Sequence, residues 1–119
     1  MILHIVLFTF KDGYSWQSPA ALTAEAKSKD HPSHIQEIIA WMTGRNISDR
    51  DIAADFAVAG VFTDQAALQR YRVDPDHHVG ATLWAKIATW QIIDIDLSAD
   101  SCGVEGFHAL MAVDSDSQD

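Results

Sequence analysis

The chain is 119 residues long, enough for one domain with a small core. Its net charge is −9, and the charge is uneven: residues 1–97 hold 12 acids against 8 Lys and Arg, while residues 98–119 hold five acids and no Lys or Arg. Neither part attracts a phosphate backbone or an anionic bilayer, which argues against nucleic acid and membrane surfaces as partners.

Ile2–Phe10 (ILHIVLFTF) is rich in β-branched and aromatic residues and reads as a strand that Lys11-Asp12-Gly13 ends. The run is too short for a membrane span and lacks the basic flank of a leader peptide. Ser18-Pro19 marks a helix start, and Ala20 to about Lys29 are good helix formers. His31-Pro32 breaks that helix, which leaves His31 and His34 as surface residues of a loop. Glu37–Asn46 suits a second strand, and Ala54–Phe62 (ADFAVAGVF) a third, with Gly60 as a bulge or a close approach. Thr63-Asp64 caps the next helix, whose apolar face holds Ala67, Leu68 and Tyr71. Pro75 interrupts, and a further helix from about Asp76 to Ala88 carries Val79, Leu83 and Ile87 on one side, with His77, Ala81 and Trp84 beside them. Trp90–Leu97 (WQIIDIDL) is the last strand. The order β-α-β-β-α-β predicts an α+β, ferredoxin-like fold: an antiparallel four-stranded sheet with helices on one face.

A sheet with helices on one side should alternate apolar and polar residues. Here it does not. Val6, Phe8 and Phe10 share one face of the first strand, and Ile5 and Leu7 share the other. In the third strand Phe56, Val58 and Phe62 oppose Ala57, Ala59 and Val61. Helices cover only one face, so the second is expected to pack on another copy, as a homodimer. Each Ile, Leu or Val buried there contributes roughly 1.5–3 kcal/mol before association costs.

HIVLFTFKDG at His4–Gly13, GRNIS at Gly44–Ser48, ADFAVAGVFTD at Ala54–Asp64 and YRVDPDH at Tyr71–His77 occur in this order. Together they resemble the stress-responsive dimeric α/β-barrel (Dabb) family over residues 1–97, with residues 98–119 as an acidic C-terminal extension. The resemblance implies two sheets packed as a barrel across a dimer. Members include plant heat-stable proteins, a cyclase that makes olivetolic acid and a plant hydroxynitrile lyase, so membership narrows fold more than chemistry. The cyclase segment Y-x-x-H-P-x-H places its Tyr on Tyr71 and its second His on His77. Asp74 replaces the first His. A His of the first strand matches His4, an acid of the last strand matches Asp94, and Phe56 stands where the cyclase has a His.

Tyr71 and His77 are the predicted catalytic pair. Imidazole exchanges protons near neutrality, and a phenol can donate to a developing oxyanion. Six residues apart on an unbroken helix they would face different ways, so only a turn at Pro75 brings them together. His4, Asp94, Phe56, Val58 and Trp84 are predicted to shape the substrate pocket. Asp74, Asp76, His77 and His78 are not a specific metal pattern. The chain has no Gly-rich phosphate loop. Cys102, the single cysteine, has no activating partner and permits no intrachain disulfide.

These residues predict a cytoplasmic, cofactor-independent and metal-free enzyme of cyclase, lyase or isomerase type, moving protons on a carbonyl or polyketide-like small molecule. The rival is a non-catalytic stress-responsive or ligand-binding barrel. A solvent-reached cavity of several hundred Å3 around Tyr71 and His77 favours the enzyme; a closed, dry site favours the rival. Phe107, Leu110 and Met111 are expected to dock the extension on the barrel or on a partner subunit.

Overall fold

A computed structural model describes residues 1–103; the docking expected of Phe107, Leu110 and Met111 lies outside the described residues. Four strands, β1 (Ile2–Phe10), β2 (Ala40–Arg45), β3 (Phe56–Phe62) and β4 (Ala88–Asp96), form one antiparallel sheet in the order β2-β3-β1-β4. Three helices, α1 (Pro19–Asp30), α2 (Gln65–Val73) and α3 (Pro75–Ile87), complete the ferredoxin-like order.

The two central strands set the register. Val6 pairs with Val58 and with Ile92, Phe8 with Phe56 and Trp90, and His4 with Gly60 and Asp94. Ile2, His4, Val6 and Phe8 are buried, as are Phe56, Val58, Gly60 and Phe62. On that face a Cβ at Gly60 would lie 2.8 Å from the Trp41 ring, so Gly60 permits a close approach rather than a bulge.

The core closes around Trp84. Its ring stacks on Phe8 at 4.2 Å and on Phe56 at 5.2 Å, and its indole N–H donates to Ser28 Oγ at 2.8 Å. The Ser28 hydroxyl donates to the Ala24 carbonyl, and the Ser28 carbonyl accepts from the Trp41 indole at 2.9 Å. One small polar residue on α1 therefore satisfies the buried indole of Trp84 and the half-buried indole of Trp41.

Three expectations shift. The buried side of α3 is Gly80, Trp84 and Ile87, whereas Val79 is half-exposed, because the helix is rotated to place Trp84 over Phe8. The second strand starts at Ala40, not Glu37: Ile35 and Ile38 sit in a turn, their N–H groups bonded to His31 and Ile35, with Ile35 plugged into the core. His31 is no surface loop residue. The helix continues into a 3-10 turn, His31–Ser33, and the imidazole is 4% exposed.

The other sheet face is only partly covered, with Val61 buried and its neighbours half-buried or exposed. Leu3, Ile5 and Leu7 of β1 lie beside Val61, Ala59 and Ala57 of β3 and, on the opposite side, Ile95, Ile93 and Gln91 of β4. Leu7 and Ile93 are exposed, as is Met42 on β2. The helices also stop short of β4 on their own side, where Trp90 and Ile92 are exposed. Trp84→Ala is expected to lower unfolding free energy by about 3–5 kcal/mol, read from urea denaturation, because it removes both stacks and the indole bond to Ser28 and leaves a cavity in the core.

Candidate functional site

The site begins with a break between two helices. Asp74 ends α2, its N–H bonded to the Tyr71 carbonyl at 3.1 Å, and starts α3, its carboxylate accepting from the Asp76 N–H at 2.8 Å. Its backbone is extended (φ −65, ψ 136), as a residue before proline prefers. That single residue turns the chain so that the Tyr71 and His77 rings meet edge to face, 4.5 Å between centroids.

Both rings line a cavity of about 210 Å3 between the helices and the sheet. His4, Val6 and Phe8 of β1 form part of the floor with Val58 of β3; Trp41, Trp84 and Trp90 form aromatic walls. Trp90 and Ile92, both exposed, mark the open side along β4. The volume falls short of several hundred Å3 because these large aromatic rings crowd the space.

Val58 and Trp84 stand in the wall, where the sequence puts them. Phe56 does not: it is 2% exposed and lies beneath Trp84 and Trp16, packed into the core. Asp94 lies behind His4 rather than in the wall. Its carboxylate bonds His4 Nδ1 across the β1–β4 pair, which fixes that ring and turns Nε2 away from the carboxylate. The His4 ring lies 5.9 Å from that of Tyr71.

Burial pushes the Tyr71 phenol well above its ordinary range, so it enters chemistry as a hydrogen-bond donor. The pKa of His77 is lowered, first by burial and then by the positive charge His31 can carry; the Arg72 backbone opposes this in part. At neutral pH His77 is therefore an uncharged imidazole, free to accept a proton.

His31 is the residue the sequence reading missed. It lines the same cavity, 6.3 Å from the His77 ring. Its Nδ1 bonds Asp76 Oδ2 at 2.7 Å. The available signal was Gly80: a glycine inside an otherwise good helix points to a close neighbour. A Cβ there would lie 2.5 Å from His31 Nε2. Asp30, His34 and Asp76 gather potential metal-ligating atoms at the outer surface, but the Lys27 ammonium already bonds both carboxylates.

A family model described as "Stress responsive A/B Barrel Domain" (Dabb) matches residues 2–97. An uncharacterized protein of Streptomyces coelicolor is 38% identical over 96 residues, covering 81% of this chain and 99% of that protein. Among solved structures, a Dabb family protein with a ferredoxin-like fold from Mesorhizobium loti superposes with a TM-score of 0.67 at 29% identity, over 80% of this chain and 94% of that one. A dimeric ferredoxin-like protein of unknown function from Thermobifida fusca gives 0.71 at 21% identity, over 81% and 90%. The hydroxynitrile lyase of Passiflora edulis gives 0.65 at 16% identity, over 82% and 95%. No helix among the described residues is long and apolar enough to cross a membrane.

The lowered pKa of His77 has a consequence for stability. Below the ordinary imidazole value of about 6.5, the unfolded chain binds a proton that the folded site resists, so the folded state loses stability as pH falls through that window. His77→Gln removes this contribution. Urea midpoints measured at pH 7.5 and 5.5 are expected to fall less in the variant than in the parent.

Proposed function

The chain belongs to the stress responsive A/B barrel family, and from that premise we propose that it is a cofactor-independent enzyme moving protons on a small carbonyl compound. The observation that carries this reading is the Tyr71–His77 contact at the wall of a solvent-reached cavity. Neutral His77 accepts a proton from the carbon next to the carbonyl. The Tyr71 hydroxyl donates a hydrogen bond to the oxygen as it gains negative charge. His4, held by Asp94, presents Nε2 to the same space and orients the substrate. Val58 and Trp84 give it an apolar bed. Such chemistry serves cyclase, lyase and isomerase reactions alike. The Passiflora protein of this fold is a hydroxynitrile lyase, and a Streptomyces nogalater neighbour (TM-score 0.61, 16% identity) is a cofactor-independent oxygenase. Both are precedents for chemistry on this scaffold.

The cavity volume narrows the substrate. About 210 Å3 holds a single ring with short substituents, below the usual range of roughly 300–1,000 Å3 for drug-sized ligands. That small size is also the observation that favours the second reading, a barrel that binds a ligand without turning it over.

Acetophenone separates the two. Its methyl protons exchange with solvent deuterium only after abstraction, which proton NMR follows in D2O. The protein is expected to accelerate exchange over buffer, and His77→Gln and Tyr71→Phe each to reduce that acceleration by about 100-fold. Binding of acetophenone without accelerated exchange, or unchanged exchange in His77→Gln, overturns the enzyme reading.

We also propose that the partly covered sheet face closes on a second copy. The Thermobifida protein is described as dimeric, and so is a Bacteroides fragilis neighbour. Leu3, Ile5, Leu7, Ile93 and Ile95 supply the apolar surface. Sedimentation at micromolar concentration is expected to give twice the 13.1 kDa chain mass, and Ile5→Asp to give single subunits. A folded parent that sediments as one chain refutes the dimer.

A further inference from the structure

His31 has no part in the chemistry above, yet its setting is built rather than incidental. It is 4% exposed, follows α1 directly and lines the cavity from the side opposite β1. Asp76 Oδ2 bonds its Nδ1 at 2.7 Å. The other oxygen of Asp76 bonds the Lys27 ammonium, which in turn reaches Asp30 at 3.2 Å. The Asp76 N–H is tied to Asp74. Two bonds thus hold the carboxylate and a third holds its backbone, and the carboxylate fixes the ring.

Nε2 of His31 bonds no described residue, and among the described residues no buried side-chain nitrogen or oxygen lacks a partner, so Nε2 is reached by solvent. His31 and Gly80 both line the cavity. Gly80 makes the placement possible, since a side chain there would collide with both Nε2 and Cε1, at 2.5 and 2.8 Å. His77 and Gly80 are three residues apart on α3 and share a face. The ring lying over Gly80 therefore stands beside His77.

We infer that His31 is a second proton-transfer group of this cavity, positioned by Asp76, and that it gives a proton to the substrate oxygen while His77 takes one from carbon. This rests on the acid–base reading of the site. In the enolisation of a ketone, the C–H electron pair becomes the new C=C bond and the carbonyl π pair moves to oxygen. His77 gains the carbon's proton, and the imidazolium of His31 yields its Nε2 proton to that oxygen. Water restores the proton to His31 and removes it from His77. Two imidazoles let one site both withdraw and deliver protons, as isomerisations and ring-closing additions require.

The test uses the full chain, acetophenone and D2O. His31→Gln is expected to lower the maximal exchange rate by about 100-fold with KM changed less than about twofold, a split that loss of packing does not give. Asp76→Asn, which loosens the ring without removing it, is expected to fall between the two. His31→Ala is expected to recover activity when free imidazole is added, which a purely structural role does not allow. A His31→Gln protein with parental rate, beside an inactive His77→Gln, overturns this inference alone. A His31→Ala protein that imidazole does not rescue also overturns it. A parent that leaves acetophenone protons at the buffer rate overturns the acid–base reading itself.

Discussion

The structure turns on one residue between two helices. Pro75 disfavours helical geometry at Asp74, and the chain uses that bias twice. Its extended backbone ends α2, and its carboxylate starts α3 by capping the Asp76 N–H. Without the break, Tyr71 and His77 would stand some 120° apart around a single helix, by the 100° each residue turns. With it, their rings touch. The same turn sets Asp76 at the second position of α3, within reach of His31 and Lys27.

The charges are sorted by depth. The carboxylates of Asp76 and Asp94 stand behind the imidazoles they orient, not in the cavity. Burial alone would raise Asp76, but the bonds from Lys27 and His31 outweigh it and hold its pKa below the ordinary value. The cavity itself is faced by a phenol kept protonated and an imidazole kept neutral. An apolar wall of indoles raises the cost of any unpaired charge inside, so a developing oxyanion depends on the few donors present.

What could be read from sequence follows the range of the interactions involved. β1 was legible to the residue, because eight β-branched, aromatic or apolar positions out of nine, ending at Lys-Asp-Gly, leave little choice. The Asp64 cap and the face of Ala67, Leu68 and Tyr71 were equally local. The Tyr71–His77 pair was legible because Pro75 lies between them. Phe56 and Val79 were misplaced for one reason: the rotation of α3 is set by Trp84 wedging between Phe8, Phe56 and the Ser28 hydroxyl, three contacts from three distant segments. His31 failed in the same way. Next to a proline at a helix end it looks like a loop residue, and only the Gly80 gap 49 positions later makes room for it inside.

β4 couples the two halves of the argument. It is an edge strand that the helices leave bare on one side and that a single copy leaves bare on the other. Ile93 and Ile95 point to the face proposed to meet a second copy, while Trp90 and Ile92 rim the cavity and Asp94 holds His4. Alternate residues of one strand thus serve the interface and the site, a consequence of the two-residue period of a strand. Any shift of β4 against β1 would move both sets together and part His4 from Asp94. Packing that pins β4 from the outer face would for that reason also hold the His4 ring in its place at the cavity floor.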